Sequence, residues 1–482
     1  MSPTVNIALF GIVPLAVVLC GSLSARAGIL STLLCGWLFL PIAKLSIVGI
    51  PDYDKLVATN LAILLGCVLF HSGPLLALRP KWCDLPLALW CLAPSLSSLA
   101  NDLGAYDALS VGVRQVLVWA IPYVVGRAYF GSNIGMRDLA TALIVGGLVY
   151  VPFCLAEVRL SPQLHNMVYG YQQNQFWRNI RFDGFRPIVF MQSGLMVGTW
   201  MAASSVVAIW SWVTGRTRVM SLSWPLVCVT LVVTTVLCKA LYAILLMLVA
   251  VGLLAVLRKV RTTVPLVLLL LSVPTYMILR TTQAVRADSV STFAVPLFGA
   301  DRAQSLEARL LQEDALQKHV EDRLAFGWGG WRRSWPKDPY TGDFELRGLD
   351  GLWTIVLGEN GCYGLFTLFL FLLTPVALML ARFDANELNR DDYGAAAALS
   401  VSLLLFACDC LLNGMLNPFY LVIAGGLAAL QPQTEPAVAS ADAATIAPPR
   451  QLVRSLRWSR PTLPHLVDAS DRRRSPGSET SA

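Results

Sequence analysis

Leu241-Tyr-Ala-Ile-Leu-Leu-Met-Leu-Val-Ala-Val-Gly-Leu-Leu-Ala-Val-Leu257 carries no charge, and Arg258-Lys259-Val260-Arg261 closes it. As a helix rising about 1.5 Å per residue, such a run comes close to crossing a ~30 Å hydrocarbon core. Basic residues crowded at one end of an apolar span mark the cytoplasmic side. At the other end the turn into the preceding apolar run, Val236-Leu-Cys-Lys-Ala240, contains a single lysine. This stretch therefore sets a membrane span, its direction and one charge that needs a reason.

The same pattern recurs in both directions. Apolar runs fall at about 5–23, 28–47, 56–74, 84–100, 108–126, 138–156, 189–212, 221–237, 240–257, 263–279, 353–380, 393–411 and 415–431. The expected fold is an all-α polytopic membrane protein with about 12–13 transmembrane helices over residues 1–431. The range reflects one of the first five runs being either a span or re-entrant. Arg26, Arg79, Lys81, Arg127, Arg137, Arg216, Arg218, Arg258, Lys259, Arg261, Arg382 and Arg390 fall in alternate loops. That set is assigned to the cytoplasm, and the 158–188 segment, the Lys239 turn and the long 280–352 loop to the outer face. Residues 432–482 turn to Pro, Ala, Ser and Thr and then to Arg472-Arg473-Arg474. Such a tail lacks the apolar surface to offset ordering entropy, so it reads as a disordered, basic, cytoplasmic segment.

Composition removes several function classes. Hydrophobic residues make up 56% of the chain and charged residues 14%, against about 25% charged in soluble domains. The net charge of +7 comes from loop and tail cations, so it signals membrane orientation and anionic lipid rather than nucleic acid. Most of the eleven cysteines lie inside apolar runs, and the 280–352 loop has none, so no disulfide framework is implied. Four histidines without metal-ligand spacing argue against a zinc site; neither a metal nor a cofactor is expected. Ala25-Arg26-Ala27 imitates a signal-peptidase site, but no positive charge precedes the first run, which reads as an uncleaved span.

Within the 280–352 loop, residues 301–324 read as an amphipathic helix with Ser305 as N-cap and Glu307 in the first turn. Leu306, Leu310, Val320 and Leu324 share a face, and Gly327 is expected to stop the helix. Then comes Arg323-Leu-Ala-Phe-Gly-Trp-Gly-Gly-Trp-Arg-Arg-Ser-Trp335, rich in tryptophan, glycine and arginine.

Ionisable residues near spans gather on this same face. They include Glu157 and Arg159, Lys239, Arg280 and Asp409, with Arg181 and Arg186 before the seventh run and Asp350 before the eleventh. Pro187 suits the first turn of a helix, so a helix N-terminus is expected just after Arg186, where free amides beside a guanidinium favour an oxyanion. Arg181, Arg186, Lys239, Arg280 and Arg332 or Arg333 are the candidate anion ligands, and Asp350 and Asp409 the candidate carboxylates. The plainer reading of each cation is a side chain snorkelling to lipid head groups.

Four segments carry a family resemblance spanning roughly residues 140–430. Arg181-Phe-Asp-Gly-Phe-Arg-Pro-Ile-Val-Phe190, Leu237-Cys-Lys-Ala-Leu241, Leu324-Ala-Phe-Gly-Trp-Gly-Gly-Trp331 and Asp350-Gly-Leu-Trp-Thr-Ile-Val-Leu-Gly-Glu-Asn-Gly-Cys-Tyr-Gly364 resemble, in order, elements of the O-antigen ligase and O-antigen polymerase superfamily of bacterial envelope glycosyltransferases. The resemblance implies transfer or polymerisation of a polyprenyl-diphosphate-linked oligosaccharide to a glycan or lipid acceptor, at the outer face of the bacterial cytoplasmic membrane. It implies catalytic roles for Asp350, Arg186 and Lys239. Substrate contacts would come from Arg181, Arg280, Arg332, Trp328, Trp331 and Asp409. One departure stands out: the family's His-Asn element has Asp350 in place of its histidine. Two other readings stay open, a polysaccharide or lipid transporter without chemistry and a non-catalytic envelope-assembly protein.

Overall fold

The computed structural model describes residues 2–46, 51–181, 184–215, 222–282, 284–285, 300–337, 341, 343–344 and 348–432. The tail expected to be disordered lies, from residue 433 on, outside the described residues, as do Arg216 and Arg218.

Fourteen long helices order the described chain: α1 Pro3–Ser22, α2 Ala25–Phe39, α3 Lys55–Phe70, α4 Leu85–Ala100, α5 Ala105–Tyr129, α6 Asn133–Leu160, α7 Gly194–Val213, α8 Trp224–Leu237, α9 Leu241–Val260, α10 Val264–Thr281, α11 Ala300–Val320, α12 Leu352–Arg382, α13 Gly394–Leu412 and α14 Pro418–Ala429. Among the described residues nine helices are long and apolar enough to cross a membrane: α1, α4 with its leading turn from Trp82, α5, α6, α7, α9, α10, α12 and α13. Four shorter apolar helices, α2, α3, α8 and α14, occupy the remaining apolar runs. The chain is an all-α membrane protein.

Local chemistry explains the helix starts. Ser132, Ser193 and Asn417 accept hydrogen bonds from the first free amides of α6, α7 and α14, and Asp54 caps α3 through the amides of Leu56 and Val57. Helix α9 keeps Arg258 and Lys259 in its last turn, about 30 Å from Lys239 at the helical rise. The two ends of the bundle therefore differ in chemistry as well as in chain order.

Helices α7 and α13 are buried along most of their length, whereas α1, α9 and α10 leave rows of Leu, Val and Ile exposed. Helix α14 is buried as well, so helices with exposed apolar faces pack around several buried ones, their backbone polar groups paired within each helix as a membrane requires. Arg127 departs from its reading as a loop cation: it is buried and paired with Asp84, and it donates to the Arg79 carbonyl at 2.7 Å.

The amphipathic helix is present but begins and ends elsewhere. It starts at Ala300, so Ser305 lies inside it, and the α-helix stops at Val320, followed by a 3-10 turn at Glu321–Arg323. Leu310, Leu316 and Val320 are buried, while Leu324 is exposed; the side chain of Leu306 lies outside the described residues.

Gly327 has a different task from ending that helix. Helix α12 breaks at Gly361 (φ 64°, ψ −164°), and the Leu324–Gly329 backbone docks into the break. The amides of Trp328 and Gly329 donate to the carbonyls of Gly358 and Glu359, both at 2.9 Å. The amides of Cys362 and Tyr363 donate to the carbonyls of Leu324 and Ala325 at 2.8 and 3.1 Å. Peptide groups released by the break are thus re-paired by a neighbouring segment, the condition for irregular backbone at membrane depth. Ser97 Oγ and Asn101 Nδ2 of the α4 end pin the joint through Glu359 and Gly327 carbonyls at 2.6 and 2.8 Å.

Candidate functional site

Arg181 opens a small antiparallel hairpin in which β1 Ile180–Arg181 pairs with β2 Gly184–Phe185. The hairpin hands the chain to Arg186, whose amide donates to the Asn179 carbonyl at 2.8 Å. The aliphatic stem of Arg186 lies over Gly194, the first residue of α7, where any Cβ would collide with it. From there the guanidinium Nη2 donates to the Lys239 carbonyl at 3.2 Å, and Lys239 Nζ donates to the Arg181 carbonyl at 3.1 Å. Arg181, Arg186 and Lys239, separated by up to 58 residues of chain, thus form one contact group.

Two features show that this group is held under tension. Lys239 adopts a left-handed backbone (φ 51°), and so does Val189 (φ 53°), a conformation that costs a β-branched residue of order 1–3 kcal/mol. The Arg186 Nε–H is buried without an acceptor. Burial, and then the charge of Arg181, pull the Arg186 guanidinium below its ordinary value. A partly desolvated cation beside another cation, with a donor unmet, is a site that favours an anion.

The helix expected to begin just after Arg186 begins eight residues later, at Gly194. Residues 188–191 are non-helical because side chains from elsewhere take their backbone groups. Glu157 Oε2 accepts from the amides of Ile188 and Val189, both at 2.7 Å, and its Oε1 from Leu164 at 3.0 Å. Lys55 Nζ donates to the Phe190 carbonyl at 2.8 Å, and Gln173 Nε2 to the Val189 carbonyl at 2.9 Å.

Of the two candidate carboxylates, Asp409 lies in α13 and Asp350 just before α12. Asp409, 5% exposed, accepts from Asn413 Nδ2 at 2.6 Å and from the Tyr242 hydroxyl, three residues beyond Lys239. Asp350 is 56% exposed at its side chain and accepts from Arg309 Nε of α11 at 3.1 Å. The Arg309 charge also reaches Asp409 and Tyr242. Arg309 is the residue that sequence reasoning missed. Its only sequence signal was a cation on the helical segment that precedes Asp350.

Two cavities flank this junction. One of about 250 Å³ is lined by Arg309, Glu313, Asp350 and Thr354. The other, of about 540 Å³, runs between α7, α9, α13 and α14, with Asp409 and Met415 beside Met196, Met247 and Phe406. The hydroxyls of Thr199 and Ser402 on its wall are spent on their own helices' carbonyls. The wall is therefore apolar apart from Asp409, Asn417 and the Tyr420 hydroxyl.

The remaining sequence candidates lie elsewhere. Arg280 is buried and committed to Glu313 at 3.0 Å and Asp314 at 2.9 Å, so it fastens α11 to α10 and leaves no face for an anion. Trp328 stacks on His319 with ring centroids 4.3 Å apart, and its Nε1 donates to the His319 carbonyl. His319 is ten residues along α11 from Arg309, about 15 Å at the helical rise. Trp331 is 59% exposed against Trp335, and Arg332 sits over the Trp335 ring at 4.9 Å. No contact among the described residues joins Trp328, Trp331 or Arg332 to Arg186. Nor does any group of three or more His, Cys, Asp or Glu among the described residues have the placement to hold a metal ion.

The fold and these contacts define an all-α membrane protein with a cationic cluster at one end of its bundle. No protein-family model matches the chain, and no curated protein matches it either.

Proposed function

We propose that the chain is a membrane glycosyltransferase of the O-antigen ligase or polymerase type, using a polyprenyl-diphosphate-linked glycan as donor. The observation that carries this reading is the Arg181–Lys239–Arg186 group; Tyr242, three residues beyond Lys239, reaches Asp409 on the wall of a largely apolar cavity. A substrate with an anionic head and a long apolar chain matches that combination of surfaces.

Arg186 and Lys239 would hold the diphosphate and take up charge as it leaves. The acceptor hydroxyl oxygen attacks the anomeric carbon. The bond from that carbon to the diphosphate oxygen breaks, and the electron pair departs with the lipid diphosphate. The hydroxyl proton passes to Asp350, which occupies the position of the family's histidine. Arg309 links these roles, because a diphosphate drawing its guanidinium away would free the Asp350 carboxylate for the proton.

The test is purified protein in lipid nanodiscs with lipid-linked oligosaccharide and candidate glycan or lipid acceptors. Turnover is expected, with Arg186→Ala and Lys239→Ala each slowing it about 10²-fold or more, as loss of an oxyanion donor does elsewhere. Normal turnover by Arg186→Ala sinks the reading.

Transport without chemistry draws on one observation, the broken helix α12 with Glu359 beside the break. The freed peptide groups there are already paired with the 324–329 segment, which leaves that break little to offer a solute. Facilitated movement of labelled lipid-linked glycan between leaflets, without transfer to any acceptor, would favour it.

A further inference from the structure

The backbone from Ile188 to Met191 is neither helix nor strand, yet it is fully buried. A buried peptide group left without a partner is costly, and here nearly every partner is a side chain. Glu157 takes the amides of Ile188 and Val189, and the Tyr150 hydroxyl takes that of Phe190 at 3.2 Å. Gln173 donates to the carbonyls of Val189 and Met191, and Lys55 to that of Phe190. The donors and acceptors come from α3, α6 and the 170–175 loop, which surround the segment. Glu157 is 1% exposed and Lys55 4% exposed, so both charges are removed from water to hold one short stretch of chain. Lys55 also lies over the Trp37 ring at 5.2 Å.

That investment has a local product. Val189 is held at a positive φ, and two residues before this segment stands Arg186, with an unmet Nε–H and its Nη2 on the Lys239 carbonyl. An ordinary helix starting at Pro187 would pair this segment's carbonyls internally, leave only the first amides to a cap, and carry the guanidinium round with it. We propose that Glu157 and Lys55 are positioning residues. They clamp Ile188–Phe190 in its strained path and so aim Arg186 at the anion site. The inference rests on the anion-site reading above, and it adds the buried acid and base that set the site's affinity without touching the ligand.

The experiment measures binding of farnesyl diphosphate to the full chain in detergent micelles, together with amide exchange at residues 188–190. Arg186→Ala is expected to weaken binding about tenfold or more, the scale of one charge-assisted contact. Glu157→Gln and Lys55→Met are expected to weaken it about three- to tenfold, with faster exchange at Ile188 and Val189. Val189→Gly removes no charge, adopts the positive φ without strain and gives up a fully buried side chain. The Glu157 and Lys55 contacts go to backbone groups that this variant keeps, so it is expected to bind like wild type and serves as the packing control. If Glu157→Gln fails to fold, Lys55→Met decides, with Val189→Gly as its control. Unchanged binding by Arg186→Ala overturns the anion site itself. A weakened Arg186→Ala alongside wild-type binding by Lys55→Met and by any folded Glu157→Gln overturns the positioning role alone.

Discussion

Asp350 and His165 show how differently two titratable residues of one face are used. Asp350 stands mostly exposed, its carboxylate held by a single guanidinium from another element. If Arg309 masks it at rest, Arg309→Ala removes both the mask and a phosphate ligand. Asp350→Asn removes only the proton acceptor. In lipid-linked oligosaccharide transfer, Asp350→Asn is expected to lower kcat by about 10²-fold, within the range for general bases, with KM for the donor little changed. Arg309→Ala is expected to raise KM as well. Equal effects on KM from the two variants would break this division of roles. His165 is buried, with Nδ1 on the Tyr171 carbonyl at 3.0 Å and Nε2 receiving the Ile42 amide at 3.3 Å. That pairing requires the neutral ring. Burial first, and Lys55 nearby, push its pKa below the ordinary 6.5. The unfolded chain therefore binds the proton more readily, and the His165 contribution is complete above about pH 6.5 and is lost as pH falls through the folded value. The thermal midpoint of the wild type should decline from pH 7 to pH 5 by more than that of His165→Gln; parallel declines would exclude His165 as a source.

At the scale of single elements, what was legible depended on whether a pattern is local. Apolar runs place every long membrane helix, because burial in lipid is written in consecutive residues. The break in α12 is not written that way. Gly358-Glu-Asn-Gly361 reads as a span start with two glycines, and only the arrival of Leu324–Gly329 from another segment explains them. The Gly-rich stretch itself drew attention for its tryptophans, yet its glycines matter more. A side chain at Gly361 would meet the Ala325 and Gly327 backbone at a φ of +64°. Gly361→Ala is expected to destabilise by on the order of 2–4 kcal/mol, combining strain with a backbone clash, read as a lowered midpoint of unfolding in micelles. Gly252→Ala, with open space at its Cβ, is the matched control and should stay within about 0.5 kcal/mol. The start of α7 was misplaced for the same reason as the break was missed. Pro187 permits a helix, but Glu157 and Lys55, over 25 residues away, hold its backbone in another path.

Across the whole molecule, the cations that sequence grouped on one face divide into two kinds. Arg181, Arg186 and Lys239 gather, while Arg280 serves docking of α11, because its partners Glu313 and Asp314 lie on a helix whose packing no local pattern reveals. That docking bears on the site, since Arg309 is four residues from Glu313 on the same helix and thus on nearly the same face. Glu313 also accepts from Trp353 Nε1 at 3.3 Å and the Tyr276 hydroxyl at 3.4 Å, so α10, α11 and α12 meet at one carboxylate. Burial pushes the Glu313 carboxyl up, and Arg280 opposes that shift. Removing Arg280 alone strands this buried acid, which costs about 3–5 kcal/mol where the pair is fully enclosed. Release of α11 is the cheaper response, carrying Arg309 away from Asp350. Arg280→Met is therefore expected to speed amide exchange along residues 309–320 and to depress lipid-linked oligosaccharide transfer, although Arg280 touches no substrate. In Arg280→Met/Glu313→Gln the stranded charge is gone, and both exchange and transfer should move back toward wild type. If the double variant is no better than the single one, Arg280 acts on substrate directly, and the separation of anchoring from anion binding fails.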